Sequence, residues 1–271
     1  MEINRSNISE IVAKASLRPD KDYGQNFLVE PDISKRIVEA LNIESNDKVI
    51  EVGPGLGSLT HYIAQTNAEY DAVDIDLRMV NFLKVVYQDC PRVQIIENDI
   101  RKQNISKYTK IIGNLPYNIT TECIQYFLLN AVSATKMVFM IQSEAINRFY
   151  DVKGKDYGPV SVLLHLLGEI KKLFTVKAGS FYPAPKCNSV VFTIDINRTK
   201  NRKEAIGAYV LAKKLFTNRR KTIQNNLLNL VKNKECVLKM CDDLSISPLS
   251  RPEDLDPETY LRMFKYLENI K

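Results

Sequence analysis

Val49-Ile50-Glu51-Val52-Gly53-Pro54-Gly55-Leu56-Gly57 decides the fold. A short buried strand runs into a turn with glycines spaced Gly-x-Gly-x-Gly, and the apolar positions from Leu59 to Ala64 continue as a helix. Glycines at such a turn let the backbone bend tightly and let a ligand approach it. A dinucleotide fingerprint asks for Gly-x-Gly-x-x-Gly. Here the third place is Ser58, which leaves room for a smaller, adenosine-type ligand.

The same alternation of strand and helix extends on both sides. Before the turn, Pro31-Asp32 opens a helix whose apolar face is Ile33, Ile37, Val38 and Leu41. After it, strand patterns at 70–74, 93–96, 110–112, 136–141, 172–176 and 190–194 are separated by helical ones at 79–86, 121–129 and 160–167. Alternation of this kind implies a parallel sheet covered by helices on both faces, with ligands bound beyond the carboxyl ends of the strands. The fold class is therefore α/β.

Three strand ends carry side chains suited to an adenosine-bearing ligand. Asp74 closes the second strand, and a carboxylate there accepts from both ribose hydroxyls; its structural alternative, a helix cap, falls better to Asp76. Asp99 follows the third strand, where a carboxylate accepts from an adenine amino group and Ile100 offers an apolar face to the ring. The fourth strand runs into Asn114-Leu115-Pro116-Tyr117. Pro116 forces Leu115 out of the helical region, leaving the Leu115 and Pro116 carbonyls and the Asn114 amide oxygen to accept hydrogen bonds from an amino group. Tyr117 is placed to stack on the ring that bears it.

Two further stretches fit an RNA partner. Phe181-Tyr182-Pro183-Ala184-Pro185-Lys186 is an aromatic pair stiffened by prolines, suited to a stacking platform. Asn218-Arg219-Arg220-Lys221-Thr222 is a basic cluster beginning a helix, suited to phosphate contacts that position without reading sequence. The charge agrees. Residues 1–195 hold 22 Lys and Arg against 23 Asp and Glu, whereas residues 196–271 hold 16 against 9. A near-neutral body with a basic C-terminal quarter suits a polyanion.

The 271 residues divide into an N-terminal arm (1–22), loosely held, an α/β domain (23–197) and a basic all-helical domain (198–271). Five scattered cysteines without a Cys-x-x-Cys argue for reduced thiols and against a zinc site. Met1 to Arg5 begins no signal-type apolar run, and no apolar run approaches the roughly 18 residues of a membrane span. These features point to the cytoplasm, with no membrane or metal partner.

Taken together, these residues resemble the ribosomal RNA small-subunit adenine dimethyltransferase family, of the KsgA type. The motifs carrying the resemblance are Gly24-Gln25-Asn26-Phe27-Leu28, Glu51 to Gly57, Asn114 to Ile119, Phe181 to Lys186 and Asn218 to Ile223. It implies a Rossmann-like class I methyltransferase domain using S-adenosylmethionine, and a small helical C-terminal domain. It also implies a monomer that dimethylates two adjacent adenosines near the 3′ end of small-subunit rRNA within a pre-30S particle, with a role in subunit biogenesis. Asn26 and Leu28 would contact the cofactor from the N-terminal segment. Gly53 would approach its methionine end with Gly55 in the same turn, Asp74 its ribose and Asp99 its adenine. Asn114 would lie between cofactor and target base, and Tyr117 and Phe181 would sandwich that base. This chain has Asp74 where the family usually has Glu, and Cys187-Asn188 where Val-Asp is commoner. Lys21-Asp22-Tyr23 is weaker in charge than the family's basic stretch. Two other readings stand beside this one: a large-subunit rRNA adenine methyltransferase of the macrolide-resistance type, and a ribosome-assembly factor in which catalysis is secondary.

Overall fold

Every apolar run read above as a strand is one in the structure, a computed structural model that describes residues 1–14, 17, 19–20, 25–116 and 118–270. The chain forms two units, Met1–Glu144 with Lys171–Ile196, and Ala145–Ile170 with Asn197–Lys271. In chain order the first runs α1 (Ile8–Lys14), β1 (Phe27–Leu28), α2 (Pro31–Leu41), β2 (Lys48–Val52), α3 (Thr60–Ile63), β3 (Glu69–Asp74) and α4 (Leu77–Val86). It continues with β4 (Val93–Glu97), β5 (Lys110–Asn114), α5 (Thr120–Asn130) and β6 (Lys136–Gln142). After α6 (Asn147–Tyr150) and α7 (Pro159–Leu167), the chain returns through β7 (Gly168–Val176), β8 (Phe181–Tyr182) and β9 (Ser189–Ile196).

Seven strands form one sheet in the order β4-β3-β2-β5-β6-β9-β7. β2 pairs in parallel with β3 on one side and β5 on the other, so the direction of winding reverses between β2 and β5. A crevice opens beyond the carboxyl ends of the strands at such a switch point. Ile50, Ala72, Ile111, Ile112 and Val138 are wholly buried, as expected of strands covered on both faces. One strand departs from the parallel pattern: β9 runs antiparallel to β6, with Met140 opposite Val191. β9 lies between β6 and the edge strand β7, and the connection from β7 to β9 holds no α-helix.

Over its described residues the N-terminal arm is packed rather than loosely held. Ile3, Ile8, Val12 and Leu17 are buried in a cluster with Phe27, Val29, Leu56 and Met79. Ile8 and Val12 stand one helical turn apart, so α1 lays a single apolar stripe on the body.

The second unit holds α6, α7, α8 (Arg202–Phe216), α9 (Ile223–Val231), α10 (Lys234–Asp243) and α11 (Pro257–Asn269). It takes in residues 145–170, which the sequence reading placed in the α/β domain. The reason is α7, apolar almost all round, which packs against α8 and α11. Among the described residues no helix is long and apolar enough to cross a membrane.

Candidate active site

A cavity of about 260 Å3 lies beyond the carboxyl ends of β2, β3, β4 and β5. Its wall takes Gly53 and Gly55 from the turn after β2, Asp74 from β3, Asp99 after β4 and Asn114, Leu115 and Pro116 from the end of β5. Asn26 and Leu28 close it from the N-terminal segment. Residues far apart in sequence are thus brought to one place.

The glycine turn is built for close approach. Gly55 has φ of +55°, and a Cβ there would stand 3.1 Å from the Phe27 ring. Gly113 in β5 has its own reason: a Cβ would lie 2.6 Å from the Val52 carbonyl, so only glycine lets β5 seat against β2 at this level. Ser58, in the place of the missing third glycine, donates its hydroxyl hydrogen bond to the Leu28 carbonyl at 2.6 Å. The serine therefore ties the N-terminal wall of the cavity to the turn.

Asp74 is 8% exposed, and its two oxygens accept from the backbone N–H groups of Asp76 (2.9 Å) and Gly55 (3.1 Å). Burial pushes its carboxyl up to about 6, opposed by those amide bonds. Asp76 is the cap of α4, accepting from the Arg78 N–H, as the sequence predicts. It also accepts from Gln25 Nε2 at 2.8 Å, which fixes the N-terminal segment to α4. Asp99 accepts three bonds from Arg101, through the backbone N–H, Nε and a terminal guanidinium nitrogen, and that pairing holds its carboxyl below the usual range.

At the end of β5, Asn114 Nδ2 leans toward the Asn26 carbonyl at 3.4 Å. Its Oδ1 is buried and has no hydrogen-bond partner among the described residues. An unpartnered buried acceptor costs about 1–3 kcal/mol, so it marks a place where a donor from outside is expected. The two neighbouring carbonyls differ. The Pro116 carbonyl accepts from the Ile119 N–H (3.2 Å) and the Thr120 hydroxyl (3.0 Å), so it is engaged in starting α5 rather than left open. The Leu115 N–H donates to the Met140 carbonyl at 3.0 Å, and no described residue reaches the Leu115 carbonyl.

Tyr117, Gly24 and Lys21-Asp22-Tyr23 lie outside the described residues. Phe181 does not line the cavity. It is 4% exposed and packs in the core with Leu28, which it also faces across the β1–β8 pair. Its ring supports the wall from behind, whereas Tyr182 beside it is 36% exposed.

The basic cluster is a loop and not the start of a helix, because Thr222 caps α9 after it. Arg219 is already engaged: it donates through Nε to Glu253 and through a terminal guanidinium nitrogen to the Gly154 carbonyl at 2.8 Å. Arg220 and Lys221 are exposed. Buried Asn226 holds the loop by donating to the Asn218 and Lys221 carbonyls, each at 3.2 Å.

Glu51, to which the glycine motif assigns no role, lines the cavity at 1% exposure. It accepts from Tyr70 and from Thr60 Oγ1 (2.7 Å), and burial pushes its carboxyl up to about 7. A charged residue inside an otherwise apolar strand is the signal that could have found it. Among the described residues no group of His, Cys, Asp and Glu is arranged to hold a metal ion.

The family model described as ribosomal RNA adenine dimethylase matches residues 14–269. A protein from Malacoplasma penetrans named ribosomal RNA small subunit methyltransferase A is 34% identical over 257 residues, which cover 93% of each chain. Its namesake from Alkaliphilus metalliredigens is 32% identical over 278 residues, 97% of this chain and 96% of that one. Among solved structures, a dimethyladenosine transferase from Plasmodium falciparum superposes with a TM-score of 0.77 at 24% identity, covering 90% of this chain and 98% of the other. The 23S rRNA methyltransferase ErmE superposes at 0.69 with 22% identity, covering 90% of this chain and all of its own. The sheet and its flanking helices are thus those of a class I methyltransferase.

Proposed function

This chain belongs to the ribosomal RNA adenine dimethylase family, and we propose that it places two methyl groups on the exocyclic amine of each of two adjacent adenosines near the 3′ end of small-subunit rRNA, as part of subunit biogenesis. The relatives named for the small subunit, 32–34% identical along nearly their whole length, support that substrate over the large subunit. The likeness to ErmE is one of fold.

The residues of the cavity fit S-adenosylmethionine. Gly53 turns bare backbone toward a ligand, with the nearest atom 3.8 Å from where a Cβ would stand, Asp74 offers a carboxylate to a diol, and Asp99, both of whose oxygens are held by Arg101, offers its remaining lone pairs to an amine. When bound there, the cofactor supplies an electrophilic methyl group. The observation that carries the reading is the buried Asn114 Oδ1, which has no partner among the described residues, in a chain stretch where no described residue reaches the Leu115 carbonyl either. An adenine amine is a poor nucleophile because its lone pair is delocalised into the ring. Two acceptors that take both of its N–H bonds favour a pyramidal nitrogen and free that lone pair. As positive charge develops on nitrogen, fixed oxygen dipoles stabilise it without reorganising. Positioning of this kind contributes about 7–11 kcal/mol to bimolecular steps. The target base has to leave its stack to reach the cavity. We assign phosphate contacts to Arg220 and Lys221, and to Arg219 the fixing of their loop.

The test is methylation of purified, undermethylated small subunits with labelled S-adenosylmethionine, followed by nucleoside analysis. Dimethyladenosine at two adjacent positions is expected. Label in purified large subunits assayed in parallel but not in small ones, or none above background in either, rejects the proposal.

A further inference from the structure

The turn after β4 puts a cation in the cavity wall. Asp99 and Arg101 both line the cavity, and Asp99 caps the short 3₁₀ turn Ile100–Lys102 that contains Arg101. Arg101 folds back onto its own cap. Its backbone N–H and its Nε both donate to Asp99 Oδ1 at 3.0 Å, and a terminal guanidinium nitrogen donates to Oδ2 at 2.7 Å. A two-pronged guanidinium contact fixes the plane and the direction of a carboxylate, which a single point charge does not. The same pairing holds the carboxyl below its usual range, so Asp99 stays ionised and only accepts.

The backbone of this turn closes without the Arg101 side chain. The Lys102 N–H donates to the Asp99 carbonyl at 2.8 Å, and the Asn98 N–H donates to the Asp74 carbonyl at 3.0 Å. Asn98 Nδ2 reaches Gln103 Oε1 at 2.8 Å, and the Tyr126 hydroxyl on α5 donates to the Gln103 carbonyl at 2.6 Å. The Arg101 side chain is itself 39% exposed, and an ion pair that open contributes little to stability. Holding a long side chain in one geometry costs rotamer freedom. What the pairing achieves is the direction of the acid it covers.

We propose that Arg101 is a positioning residue that makes the cavity select a 6-amino purine over a 6-oxo one. This rests on the reading of the cavity as the S-adenosylmethionine site. With Oδ1 taken by two bonds, Asp99 meets a ligand through Oδ2, and Arg101 decides where that oxygen points. An amine at position 6 of the purine donates to it. A 6-oxo purine presents an oxygen there instead and carries its ring N–H at N1, the neighbouring atom. A loose carboxylate turns to that N–H. A held one does not, and is left facing an oxygen. Rejection of the oxo ring therefore comes from the fixing of Asp99 and not from its charge alone.

The test is calorimetry with S-adenosylhomocysteine and S-inosylhomocysteine, ligands that differ at this edge of the ring and require no turnover. It uses the full parent chain, Arg101→Ala and Arg101→Lys. The parent is expected to bind the amino ligand about a hundredfold more tightly. In Arg101→Ala that ratio falls to about tenfold or below, because the amino ligand weakens while the oxo ligand does not. Arg101→Lys keeps a cation without the fork and leaves most of the ratio lost. Melting temperatures match the parent, so a fall in the ratio is not a fall in stability. An unchanged ratio in Arg101→Ala overturns the inference, and so does full rescue by Arg101→Lys, which assigns the effect to charge. A parent that binds both ligands alike also overturns it and leaves the cofactor reading standing. A parent that binds neither rejects the cofactor reading and the inference together.

Discussion

Asn114 carries an acceptor, Oδ1, that is buried with no partner among the described residues. Asn114→Ala removes that acceptor and is expected to lower methyl transfer about a hundredfold while S-adenosylmethionine affinity stays within several-fold. Single-turnover rates on small subunits and calorimetry separate the two. Asp74 gives a pH signature. Its carboxyl lies at about 6 in the folded protein, well above the ordinary 3.8, so the ionised form that accepts from a ribose diol is lost as pH falls through about 6. Cofactor affinity is expected to be flat above pH 7 and to decline below about 6, and Asp74→Asn to be weak and flat throughout. Calorimetric titrations from pH 5 to 8 check this. The linkage to stability has the opposite sign. A raised carboxyl favours the ligand-free fold at low pH, and that contribution disappears as pH rises through about 6.

Single elements carry two further tests. β1 is only two residues long, and what fixes it is its pairing with β8 and the Ser58 hydroxyl on the Leu28 carbonyl. Ser58→Ala leaves that buried carbonyl without its donor, a loss of about 1–3 kcal/mol. A lower melting temperature together with weaker cofactor binding is expected, since Ser58 and Leu28 both line the cavity. The loop before α9 divides its three cations by task. Arg220→Glu with Lys221→Glu is expected to flatten the salt dependence of RNA binding and leave the melting temperature alone. Arg219→Glu is expected to lower the melting temperature, because it breaks the bonds to Glu253 and Gly154 and sets two carboxylates against each other. A shift assay in graded salt, paired with thermal melts, distinguishes them.

Across the whole molecule, the arm is the part that most changes the picture. Deleting residues 1–14 strips Ile3, Ile8 and Val12 from Leu56 and Met79. With roughly 1.5–3 kcal/mol for each large buried apolar side chain, the melting temperature is expected to fall by roughly ten degrees. Cofactor affinity should fall with it, because Leu56 belongs to the glycine turn; a melt and a titration on the truncated chain report both. The sheet was legible because its strands are apolar on both faces and end in residues that break the pattern: Gly53, Asp74, Asp99 and Asn114. Their convergence follows from topology once the strands are parallel. The tertiary partners were not legible. Nothing local says that the Ile8–Val12 stripe finds Leu56, that Phe181 turns inward while Tyr182 turns outward, or that Arg219 serves Glu253. A helix as apolar as α7 reads equally well as cover for the sheet or as core of the helical unit; only packing decides.

The close seating of Gly113 on the Val52 carbonyl makes the site a gauge of fixed width. Val52 and Gly113 face each other on hydrogen-bonded strands, and each is followed or preceded directly by a working residue, Gly53 on one strand and Asn114 on the other. Such a gauge has no give between its jaws. An enzyme that must first accept a bare amine and then one carrying a methyl cannot widen to take the second. The adjustment falls to the nucleoside, which has to turn its amine so that the remaining N–H meets an oxygen and the new methyl points away. On the proposed reading, dimethylation by this protein is two settings of the substrate against one pair of strands.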